Sequence, residues 1–118
     1  MPNEERRVYR PTRKLRPPPA NLTPARKQAY TRMRLIECFV IDFIAALPRD
    51  AGVSALVYPH YCSFAKQVWR LKDTVQDSAE RDRQINLKVG HWSEIGGLKE
   101  PVLRRLAAEI LRTELAFA

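Results

Sequence analysis

The sequence predicts an all-α protein: a small helical bundle of two long helices, one short helix and one C-terminal helix, preceded by an extended basic tail rich in proline and arginine. Three observations predict it. Apolar residues recur three and four apart through most of the chain after residue 23, and alternation at period two never persists long enough to make a sheet. Five prolines and no glycine crowd the first 21 residues. With 118 residues the chain allows one folded domain, read as residues 23–118, with residues 1–22 as the tail.

Taking the elements in order, the stretch from Met1 to Asn21 offers only Val8, Tyr9, Leu15 and a few small residues for burial. Such a segment cannot offset its own ordering entropy, so order is expected to come from an outside partner. Thr23 followed by Pro24 marks a helix start, because the threonine hydroxyl caps a free amide and proline at the first helical position loses no hydrogen bond. The helix is expected to run to about Leu47. Met33, Ile36, Val40, Phe43 and Leu47 form its stripe, and Leu35, Phe39 and Ile44 widen that stripe until the helix is mostly buried. Pro48 stops it, and Asp50 is positioned to cap a short helical turn through Val57.

Pro59 opens the second long pattern, carried by Tyr61, Phe64, Ala65, Val68, Leu71, Val75 and Ala79 and extended by Ile85, Leu87 and Val89. The polar stretch Asp73 to Gln84 implies either an exposed arm or a break near Asp77. Gly90 is read as the C-terminal stop and His91 to Leu98 as a connector, with Gly96 and Gly97 free to take positive φ and Trp92 anchoring the loop. Pro101 begins the last helix, whose stripe is Leu103, Leu106, Ala107, Ile110 and Phe117.

Charge points to a partner. The net charge is +8, and residues 1–34 hold ten bases against Glu4 and Glu5, while the remaining residues carry eleven of each sign. The excess is thus an N-terminal property. The ten are Arg6, Arg7, Arg10, Arg13, Lys14, Arg16, Arg26, Lys27, Arg32 and Arg34. Guanidinium groups pair with phosphates in a fork and stack on bases, and Tyr9 adds an aromatic face, so these eleven residues are the candidate nucleic-acid contacts. Six to ten such contacts would make binding steeply salt-dependent.

Other chemistry finds little footing. Cys38, Cys62, His60 and His91 could ligate a metal, but the close ligand pairs of structural zinc are missing, and neither a metal nor another cofactor is expected. Two cysteines are too few for a disulfide framework, so a reducing compartment, cytoplasm or mitochondrial matrix, is expected. His91, Ser93 and Glu94 stand together without a nucleophile elbow, and Gly96 and Gly97 lack a phosphate-loop context. No enzymatic activity and no small-molecule substrate are expected. The longest apolar run, Leu35 to Leu47, contains Glu37 and Asp42 and is too short to span a bilayer.

The expected function is therefore that of a non-enzymatic accessory subunit of a large ribonucleoprotein, of ribosomal or RNA-guided type. Its tail would bind RNA phosphates and its body would pack on protein neighbours. The competing reading is a structural subunit of a multiprotein complex, including one beside a mitochondrial membrane. A third is a helix-turn-helix DNA-binding regulator using Trp92 to Leu106, which suffers from having only about one turn of helix before Gly96.

Overall fold

A computed structural model of the protein describes residues 7–116. It is mostly helical: α1 spans Pro24–Ala45, α2 Tyr58–Thr74, α3 Ser78–Glu94 and α4 Glu100–Leu111. The Thr23 hydroxyl accepts from the Arg26 amide at 3.3 Å, with Pro24 behind it, as the start signal requires. No residue of α1 before Leu35 is buried, so its first three turns lie clear of the core. Leu35, Ile36, Cys38, Phe39, Val40 and Ile44 then enter it.

The hub is α2, which packs against α1, α3 and α4. Its Tyr61, Phe64, Ala65, Val68 and Trp69 are almost wholly shielded from water, and each large side chain among them contributes about 1.5–3 kcal/mol of transfer free energy. Trp69 belongs to this core.

The expectation of two long helices, one short and one C-terminal differs from the structure in three places. The second long pattern breaks at Val75–Asp77, and the Asp77 carboxylate accepts from the Glu80 amide at 2.8 Å to begin α3 as a separate helix. The break turns Ile85 and Val89 back onto α2 and α4, so the polar stretch is the outer face of a packed helix and not a free arm. The short helix is two 3-10 turns, Arg49–Ala51 and Ala55–Val57, separated by Gly52 at φ 70°. Finally, α4 ends at Leu111. The Thr113 hydroxyl donates to the Glu109 carbonyl at 2.6 Å, and the chain then straightens into a strand. Phe117, assigned to the last helical stripe, lies outside the described residues.

That strand, β2 (Thr113–Leu115), pairs in parallel with β1 (Arg7–Tyr9), with Arg7 opposite Thr113, Val8 opposite Glu114 and Tyr9 opposite Leu115. Neither has a periodicity to read, because three residues per strand are too few. The ribbon joins part of the stretch read as a tail to the body.

Gly90 does not stop α3, which continues to Glu94; buried Val89 and half-buried Trp92 hold this turn on the core. The helix ends at Glu94 with Ile95 as its cap, and the connector then takes left-handed backbone at Gly97, with φ 67°. These two glycines are expected to respond oppositely to alanine. A Cβ at Gly90 would meet nothing within 4 Å, so Gly90→Ala should stabilise by about 0.5–1 kcal/mol. Gly97→Ala, in equally open space but left-handed backbone, should lose about 1–2 kcal/mol. Urea denaturation of both variants checks this, and shifts of the same sign would refute the assignment.

Candidate nucleic-acid interface

Residues 7–34 contain nine bases and no acid. The structure sorts the nine into two groups. Four face a carboxylate: Arg7 lies 3.6 Å from Glu109, Arg13 3.3 Å from Asp42 and Arg34 3.0 Å from Glu37, and Arg32 pairs with Asp73. The other five, Arg10, Lys14, Arg16, Arg26 and Lys27, make no ion pair among the described residues. Four of these are exposed and Lys27 is half-buried. Arg6 lies outside the described residues.

Tyr9 sits differently from the arginines around it. Its hydroxyl donates to the Asp42 carboxylate, and its ring meets Phe39 edge-on, with centroids 5.2 Å apart and planes at 87°. Phe39 meets Trp69 in the same manner at 5.0 Å. An aromatic chain thus leads from β1 through α1 into the heart of α2. The receptor of this contact, Asp42, is the functional neighbour that pattern reading missed. An aspartate within a mostly buried helix needs a donor, and a nearby cationic, tyrosine-bearing segment could have supplied the signal.

Burial, and next the Asp42 carboxylate, push the Tyr9 phenol well above its ordinary value near 10. A phenol that is harder to ionise in the fold favours the fold while it stays protonated. The stability it adds is therefore complete below about pH 10 and is lost as pH rises toward the folded value. The stability difference between the natural chain and Tyr9→Phe, measured by denaturation at stepwise pH, should be constant from pH 7 to 9 and shrink above 10. A difference that grows with alkali would contradict the Tyr9–Asp42 contact.

The remaining candidates for chemistry are held by the fold. Burial pushes both thiols up, that of Cys62 to about 11, which leaves them largely protonated and weakly nucleophilic at neutral pH. Among the described residues no group of three or more His, Cys, Asp or Glu stands together. Trp92 donates from its indole nitrogen to Gln67 at 2.9 Å, fixing α3 to α2. The obstacle to a helix-turn-helix, too little helix before Gly96, is removed, since α3 is 17 residues long. The outer face of α4, however, pairs Arg104 with Glu100 and Arg112 with Glu109, leaving few free cations for phosphate.

The fold and site together define a mostly helical four-helix protein in which five cations between residues 10 and 27, a stretch without acids, make no ion pair among the described residues. No family model, curated protein or solved structure matches the chain. No helix among the described residues is long and apolar enough to cross a membrane.

Proposed function

We propose that the protein is a non-enzymatic accessory subunit of a large ribonucleoprotein, with its basic N-terminal region bound to RNA phosphates and its helical body packed on protein neighbours. The observation that supports this reading is the run of nine bases without an acid from Arg7 to Arg34, five of them lacking a carboxylate partner among the described residues. Cations left without a partner on a folded surface gain most from a polyanion, which exchanges many condensed counterions for them at once. Exposed Leu56 and Ile95, at 87% and 75%, lend the body apolar points for protein neighbours.

Fluorescence anisotropy with a single-stranded RNA 12-mer over 50–200 mM salt tests the reading. Binding that weakens steeply with salt is expected. No binding at 50 mM salt, together with association with an acidic protein, would overturn it in favour of a subunit of a purely protein assembly.

A further inference from the structure

We infer that the RNA-binding element is a ridge fixed along α1, formed by Arg10, Lys14, Arg16, Arg26 and Lys27, which grips the sugar–phosphate backbone without reading bases. Tyr9, Arg7 and Arg13 are the fasteners that hold its N-terminal segment to the body, while Arg32 and Arg34 are spent on Asp73 and Glu37. The inference rests on the RNA reading and divides its residues by role.

Geometry carries the first step. Tyr9 and Arg13 are pinned to Asp42, near the C-terminal end of α1, yet the chain must reach the N-terminal end of that helix at Pro24. The two points on α1 are 18 residues apart, or about 27 Å. From Arg13 to Pro24 a polyproline conformation covers about 34 Å, at about 3.1 Å per residue. The turn closed by the Leu22 amide on the Pro19 carbonyl shortens this to about 30 Å. Little slack remains, so the segment runs nearly straight beside α1 and opposite to its direction. Pro17, Pro18 and Pro19 fix φ and suit it to that path.

Charge carries the second step. An exposed ion pair is worth little and could open, but its carboxylate stays behind. An arginine drawn from Asp42 or Glu37 to a phosphate leaves an anion beside the RNA, so the phosphate charge is not neutralised in net terms. Of the nine bases in residues 7–34, only the five without such partners among the described residues release counterions in full. The third step concerns the bases of the RNA. Residues 10–27 contain no aromatic side chain, and Tyr9 spends its hydroxyl on Asp42 and a ring contact on Phe39. Without an aromatic platform the ridge discriminates poorly among sequences.

Five contacts set the salt slope at about −3.5 on a single strand, a loss of about 100-fold in affinity between 50 and 200 mM salt. The full-length chain is compared with Lys14→Gln/Arg16→Gln and with a variant that deletes two pairs at once, Arg32→Gln/Asp73→Asn/Arg34→Gln/Glu37→Gln. Oligo(U) and oligo(A) 12-mers are the probes, and circular dichroism verifies the fold of each variant. The ridge variant should lose about 25-fold at 0.1 M salt, with its slope reduced by about 1.4. The pair-deleted variant and the change of base should each stay within about 3-fold. Equal losses for the two variants, or a strong preference between the probes, would overturn the ridge while leaving RNA binding intact. No binding by the unaltered chain would overturn both.

Discussion

Phe39→Ala is expected to cost about 3–5 kcal/mol and to free the N-terminal segment at the same time. The first part follows from deleting a large buried ring, which sacrifices transfer free energy and leaves a void that neighbours only partly fill. Against a total stability of about 5–15 kcal/mol, that is a large share. The second part follows from position. Phe39 is the middle member of the chain Tyr9–Phe39–Trp69, and each edge-on contact adds about 0.5–1.5 kcal/mol beyond burial. Without it Tyr9 keeps only Asp42 and three residues of β1 pairing. Trypsin should then cut after Arg13 and Lys14 much faster under native conditions. Leu103→Ala, at a fully buried position of α4, should cost about as much without this local effect. If the two variants, matched in stability by urea titration, were cut equally fast, the aromatic clasp would be disproved.

The second large effect is expected at Lys72. Its ammonium reaches from the last turn of α2 to the Ile110 and Thr113 carbonyls, where α4 ends and β2 begins. Hydrogen bonds from a charged donor to carbonyls are stronger than neutral ones, and a cation at a helix C-terminus also meets the negative end of the dipole. Lys72→Met keeps the length of the stem and removes both effects, so a loss of about 2 kcal/mol is expected. Lys72→Arg should recover only part of it, because a planar fork replaces a compact ammonium. Thermal denaturation reads the loss. A Met variant as stable as the natural chain would show that these carbonyls are satisfied by water.

The helical frame was legible because its signals are local. Thr23–Pro24, Pro59 and Pro101 each stand within the first turn or at the threshold of a helix, and the apolar stripes of α1, α2 and α4 repeat over three turns or more. The boundary after Thr74 was half-legible: Asp77 is a strong cap, but the run from Tyr61 to Val89 keeps helical spacing across it. Gly90 misled because glycine marks helix ends only when positive φ is needed, and here the turn is held by Val89 and Trp92. The cationic residues were visible as composition. Their division into paired and unpaired groups was not, since Asp42, Asp73 and Glu109 lie 29 to 102 residues away from their partners in the chain. No pattern within a window reports such a distance.

A consequence also follows for the order of assembly. In the parallel pairing of β1 with β2 the entire four-helix body acts as the crossover between two neighbouring strands, where a single helix usually suffices. The ribbon can therefore zip only after all four helices have docked, and it is the piece with least to lose by opening first. Because it brings residue 7 beside residue 113, the chain is suited to rearrangement of its ends: a short peptide joining them, with a new opening at Val75–Asp77, would keep every helix whole.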